Sequence, residues 1–376
     1  MSLAFEGQAL IFLFLTTKQT NWEILMNKKL KILQTTAILL AAVNVASLAF
    51  CQSGGTAVIT KGDIVAQAEN FLGTLTEAQR EKVMYDFNDN KQRQRWSNFP
   101  VGAFQRGGVR MGELNEQQRA AAMDMLGAML SKKGYEKVRQ IVEADEVLKN
   151  EHESSGAGRR GNPGFGRDNY FISFLGEPSV EKPWMVQFGG HHLGLNITFV
   201  GEHGTLAPSH TAAQPAIYQI EGKTIRPLGG EVEKADALMD SLDDSQKKRA
   251  ILDVRVRNLV LGPGRDGQMI QPEGLKADGL SENQQKMLLD LAAEWTGILD
   301  EPLAATKMEQ MKANIAETWF AWSGPAEKGS PAYFRIHGPT VFIEFAPQGD
   351  GSNGLNHIHT IYRDPTNEYG AKWWRK

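Results

Sequence analysis

His357 and His359 stand one residue apart in Asn356-His357-Ile358-His359-Thr360-Ile361-Tyr362-Arg363-Asp364. Side chains alternate faces along a strand, so this spacing puts both imidazoles on one face together with Arg363. Two imidazoles so placed can reach a common metal ion. A preceding apolar stripe, Val341, Ile343 and Phe345, puts Glu344 on the opposite, polar side of its own strand. The glycine-rich connection 349–354 makes that strand the antiparallel neighbour of the histidine strand. Glu344, His357 and His359 are therefore expected to form a three-ligand site with an open position, as a catalytic metal requires. His192 is the expected further ligand or general base. Arg363 is the group expected to orient an anionic substrate or stabilise developing negative charge. Zinc is the preferred ion, with copper and iron as the neighbouring choices.

The remaining histidines carry blander readings. His191 belongs with the apolar residues of His191-His192-Leu193-Gly194-Leu195-Asn196-Ile197-Thr198-Phe199 and is expected to pack in the core, whereas His192 shares the polar side with Asn196. His203 and His210 fall in a polar loop and read as solvated, as does His152 in a charged helix end. His337 reads as structural. The His-x-His pair itself could be two imidazoles hydrogen-bonded in a polar groove. Trp319, Trp322, Trp373 and Trp374 suit core or rim packing first and a carbohydrate or aromatic ligand second. No G-x-S-x-G nucleophile elbow occurs.

The elements that must position these residues occur twice. Leu75-Thr76-Glu77-Ala78-Gln79, Leu114-Asn115-Glu116-Gln117-Gln118, Leu242-Asp243-Asp244-Ser245-Gln246 and Leu280-Ser281-Glu282-Asn283-Gln284 share one pattern. Each offers an N-cap residue with glutamine three positions later, the capping box that satisfies two orphan backbone donors, so each starts a helix. The β part repeats as well: Phe171–Gly190 matches Trp319–Gly338 without gaps, at an offset of 148, while the helix offset is 166. The 18-residue difference is an insertion in the first copy, placed in the glycine-rich tract 154–166. This tract is a surface loop and a candidate lid rather than a phosphate cradle. In the first copy, 213–219 is the expected counterpart of the histidine strand and contains no histidine, so the second copy carries the chemistry. The expected fold class is α+β, with two pseudo-symmetric repeats, each a capped helix pair followed by antiparallel strands, over 56–232 and 233–376.

Length and composition set the frame. The chain has 376 residues, 44 acidic and 41 basic side chains, eight histidines and one cysteine. A net charge of -3 without a basic stripe argues against nucleic acid as a partner. A lone cysteine makes neither an internal disulfide nor a cysteine-rich zinc site. Met26-Asn27-Lys28-Lys29-Leu30-Lys31 followed by the apolar run 36–45 reads as a secretory signal within residues 1–50, with Met26 the expected true start. The run is too short to span a bilayer comfortably, so no transmembrane segment is expected. The expected location is periplasmic or secreted. Lipid anchoring at Cys51 is the lesser alternative, because Phe50 is a poor residue in a lipoprotein box.

Four stretches carry a family resemblance: Trp96-Ser97-Asn98-Phe99-Pro100, Arg106-Gly107-Gly108-Val109-Arg110, Gln187-Phe188-Gly189-Gly190-His191-His192-Leu193 and 357–370. In these the chain resembles the secreted family catalogued as domain of unknown function 3500. The resemblance spans nearly the whole mature chain and implies no established reaction. From the residues, the expected function is an exported metal-dependent hydrolase acting on a small-molecule or polymer substrate. The alternatives are a copper or iron oxidoreductase and a non-catalytic metal- or glycan-binding protein. Oligomeric state is not legible.

Overall fold

A computed structural model describes residues 60–155, 164–349 and 351–375. The secretory segment, the start at Met26, Cys51 and most of the glycine-rich tract lie outside these described residues. Among them, no helix is long and apolar enough to cross a membrane.

In chain order the first part comprises α1 (Lys61–Thr74), α2 (Glu77–Val83), β1 (Met84–Tyr85), α3 (Asn90–Arg93), β2 (Val109–Arg110), α4 (Glu116–Met129), α5 (Lys132–Ser154), β3 (Phe171–Leu175), β4 (Trp184–Gly190), β5 (Leu193–Val200), β6 (His203–Thr205) and β7 (Ser209–Ala213). After a ribbon of β8 (Tyr218–Ile220) and β9 (Lys223–Ile225) come α6 (Gly229–Ser241), α7 (Asp244–Ala250), β10 (Leu275–Lys276), α8 (Glu282–Thr296), α9 (Glu301–Ala313), β11 (Trp319–Ser323), β12 (Tyr333–Gly338), β13 (Val341–Pro347), β14 (Ile358–Arg363) and α10 (Ala371–Trp374).

All four expected helix starts form as full capping boxes, at Thr76, Asn115, Asp243 and Ser281. The glutamines do a second job. Gln79 and Gln118 also exchange side-chain hydrogen bonds with each other, as do Gln246 and Gln284. Gln118 and Gln284 further donate to the carbonyls of Thr74 and Ser241. One residue type thus caps its own helix and ties it to a second, which explains why glutamine recurs where glutamate would cap as well.

The fold is mixed α/β around a twelve-stranded mixed sheet of order β1-β3-β4-β5-β7-β14-β13-β12-β11-β10, with β2 on β3 and β6 on β5. Among the described strands β1 and β3 pair in parallel and the other strand pairs are antiparallel. As expected, β13 and β14 are neighbours. The expected strand over 213–219 is displaced: the strand beside β14 is β7, Ser209–Ala213. Pro208 and Pro215 bracket it, and neither can donate to a ladder.

Alternation divides the sheet into two faces. Leu195, Ile197, Phe199, Phe320, Phe334, Ile343 and Phe345 enter one continuous core with residues of α1, α4, α6 and α8. The opposite face carries Ser173, Gln187, Asn196, His210, His359, Arg363, Glu344 and Arg335 in register. This polar face is buried rather than solvated, because irregular chain covers it. Trp96 and Leu261, from segments outside the sheet, pack there on Phe342 and Ile361.

Candidate metal centre

Three histidines meet on the covered polar face. His359 lies in β14 and His357 immediately precedes that strand, so period-two alternation gives both rings one direction. His192 arrives from the turn between β4 and β5. Its φ of 64° is left-handed, which is uncommon for a residue with a Cβ. His192 Nε2 and His357 Nε2 are 3.1 Å apart, and His357 Nε2 and His359 Nε2 are 2.9 Å apart. The three ligand atoms lie within 4.8 Å of one another. A tetrahedral ion bound by imidazoles at 2.0–2.1 Å separates its ligand nitrogens by about 3.3 Å, close to this spacing.

The rings are neutral. Burial lowers His357 to about 4, and burial with neighbouring imidazoles holds His192 and His359 well below the ordinary histidine value. A neutral imidazole nitrogen has one proton or one in-plane lone pair. His357 Nε2 touches two other Nε2 atoms, so a hydrogen-bonded trio would ask one nitrogen to serve two partners. A cation at the centre would instead use one lone pair from each ring.

The surroundings hold the trio in place. Asn98 Nδ2 lies 3.5 Å from His359 Nδ1. Arg106 Nη2 donates to the carbonyls of Ser97, Phe99 and Gly190, clamping the loop that bears Asn98 to the turn that bears His192. Gly194 makes room for Trp96, whose ring a Cβ there would meet at 2.9 Å. Trp96 Nε1 in turn donates to Tyr369 Oη. His191 is buried, as expected, but it is not simply packed. Its Nδ1 lies 2.6 Å from Asp145 Oδ1, and its ring stacks on His192 with centroids 3.6 Å apart and on Phe165. Asp145, His191 and His192 form a second group with ligand atoms inside 4.8 Å. Asp145 already spends its oxygens on His191 and on the Gly166 amide, so the three-histidine group is the better candidate.

Two sequence-derived site residues lie elsewhere. Glu344 is on the expected face, but it stands opposite Ile361, while the residue opposite His359 is Ala346. Its carboxylate accepts from Tyr333 Oη at 2.6 Å and from the amides of Val260 and Leu261 at 2.9 and 2.8 Å. Arg363 Nε and Nη2 donate to the carbonyls of Leu261 and Gly262, and Nη1 pairs with Asp266 and Glu368. Both side chains anchor the covering segment rather than face the histidines. His210 is also corrected: it is wholly buried in β7, its ring centroid 5.6 Å from that of His359. His203 is exposed and stacks on Trp373.

Sequence reasoning had no signal for Asp145, which sits inside the charged helix α5. Asn98 and Arg106 were visible only as members of recognisable motifs whose roles polarity alone does not reveal.

Fold and site together define a mixed α/β protein with a buried histidine group able to hold a metal ion. The chain belongs to the family described as protein of unknown function (DUF3500), which matches residues 58–371. No curated protein and no solved structure matches it.

Proposed function

We propose that this chain is an exported metal-dependent hydrolase whose ion is held by His192, His357 and His359. The observation that carries the reading is the approach of three imidazole ligand atoms to within 4.8 Å of one another. An ion bound there, with zinc preferred, would supply Lewis acidity and lower the pKa of a bound water towards neutrality. The chain's own residues do the rest. Arg106 and Asn98 fix the ligand-bearing segments. His191, oriented by Asp145 and stacked on His192, is the group best placed to take a proton, which makes His192 a ligand rather than the base. Export rests on the basic and apolar stretches of residues 26–45, and the protein would act in the periplasm or outside the cell.

The same reading includes two pseudo-symmetric halves. Its support is the matched glutamine pairs, the matching ladders β3-β4-β5 and β11-β12-β13, and the meeting of β7 with β14 at Thr211 and Thr360. In this register His210 is the counterpart of His359, so the first half is not without histidine.

Elemental analysis of protein purified without a histidine tag tests the metal reading. The expected result is stoichiometric metal that His359→Ala loses and His203→Ala retains. Metal-free protein with unchanged melting in chelator would leave only the hydrogen-bonded trio. Turnover in a panel of esters and amides is expected for the hydrolase. A redox-active copper or iron spectrum without such turnover would favour oxidation instead.

A further inference from the structure

A cavity of about 300 Å³ opens beneath the covering segment, and none of the three candidate ligands lines it. Its volume falls at the lower end of small-molecule sites. Leu261, Ile270 and Phe342 supply apolar wall, and the exposed, flexible Met269 stands at the rim. Three guanidiniums, Arg93, Arg363 and Arg375, line it with two carboxylates, Asp266 and Glu368.

The charges there are unevenly paired. Asp266 and Glu368 both bind Arg363, and they also take the Tyr369 hydroxyl and the Gly267 amide. Arg93 is different: it is 1% exposed, yet its hydrogen bonds go to the Asn90 side chain and the Phe87 carbonyl, and its Nε is buried without a partner. Its guanidinium lies between the rings of Phe87 and Trp374, at 4.9 and 4.6 Å. Burying a cation without a hydrogen-bonded anion is costly, so such a group calls for one. Burial holds the Arg93 pKa below the ordinary arginine value; Arg375, exposed on the same wall, adds a second positive charge that lowers it further, and Tyr369 and Asp89 offset only part of this. Further along the wall, His337 is buried and its Nδ1 has no hydrogen-bond partner among the described residues.

We propose that this cavity is a second binding site, for a monoanionic carboxylate on a compact apolar body. Arg93 and Arg375 take the carboxylate, while Leu261, Ile270 and Phe342 surround the body. Asp266 and Glu368 stand close enough to disfavour a dianion, which separates a carboxylate from a phosphate monoester. The site does not depend on the metal reading.

Calorimetric titration of the full chain with phenylacetate tests it, with phenylacetamide as the neutral isostere and phenyl phosphate as the dianion. Saturable phenylacetate binding is expected, about tenfold weaker for the amide. Arg375→Gln, at an exposed position that leaves the fold intact, should weaken phenylacetate severalfold. His357→Ala should leave it unchanged. Nuclear Overhauser contacts from the phenyl ring to the Met269 methyl, lost in Met269→Leu, would place the ligand. Equal binding of acid and amide, or tighter binding of phenyl phosphate, would overturn the proposal. So would a loss caused by His357→Ala and not by Arg375→Gln.

Discussion

Glu344 shows what strand parity can and cannot deliver. Parity assigns a face, and the face was right: Glu344 and His359 do share it. It does not assign a position along the strand. Two residues of strand rise, about 7 Å, separate the place opposite Ile361 from the place opposite His359. At that distance the carboxylate meets the amides of Val260 and Leu261 instead of the imidazoles. Removing it would strand two backbone donors and the Tyr333 hydroxyl in a dry interior. Glu344→Ala should therefore cost about 2–4 kcal/mol in denaturant unfolding, while the folded variant keeps the metal content of the parent. Loss of metal with unchanged stability would restore Glu344 as a ligand. His192 teaches the complementary lesson. It reached the expected neighbourhood through a left-handed turn, a conformation that alternation along a strand does not describe.

At the scale of elements, the repeated leucine-to-glutamine pattern was legible because a capping box is local chemistry: N-cap and third residue meet whatever the tertiary fold. The glutamine-to-glutamine bonds between helices were not legible, since they need the second helix in place. Gln284→Ala removes the reciprocal cap, the bond to Gln246 and the bond to the Ser241 carbonyl. A loss of about 1–3 kcal/mol is expected. Gln284→Glu keeps the cap but sets a carboxylate against Gln246 and should recover only part of it; full recovery would show that the interhelical bonds contribute nothing.

A second interhelical device answers to pH. Glu294 of α8 meets Lys133 and Lys137 of α5 and Lys234 of α6. Burial pushes its pKa up, but the lysines more than offset this and hold it at about 2. Because the folded value lies below the unfolded one, the contribution is present above about pH 4.5 and fades as pH falls towards 2. Glu231, wholly buried on Lys137, is shifted the other way by desolvation. Unfolding free energies measured between pH 5 and pH 2.5 should fall less steeply in Glu294→Gln than in the parent; parallel curves would remove Glu294 from the acid response.

The whole molecule turns on the seam between β7 and β14. The sequence repeat led to the expectation of two related halves but could not say how they would join, because an edge pairing leaves no periodic mark and the two prolines obscured the short strand. At the seam the Thr211 and Thr360 hydroxyls are 2.8 Å apart, and Trp295 Nε1 of α8 donates to Thr360 Oγ1 at 2.8 Å. An antiparallel bridge at Leu130 and Leu299, in which the Ser131 amide donates to the Ile298 carbonyl and the Asp300 amide to the Met129 carbonyl, adds a second join among the helices. Apolar residues from both sides form one continuous core, not two. Domains that share a core and a sheet melt together, whereas halves that merely touch would melt in turn. Far-ultraviolet and near-ultraviolet circular dichroism should therefore report one coincident transition, and two separated transitions would make the halves independent domains. Thr360→Val leaves the Trp295 indole N–H without its buried acceptor and is expected to lower stability by about 1–3 kcal/mol while keeping the single transition. The candidate metal centre draws His192 from the β4–β5 turn on one side of this seam and His357 and His359 from the β14 side, so the same variant, by loosening the seam, should also weaken metal retention during dialysis against chelator.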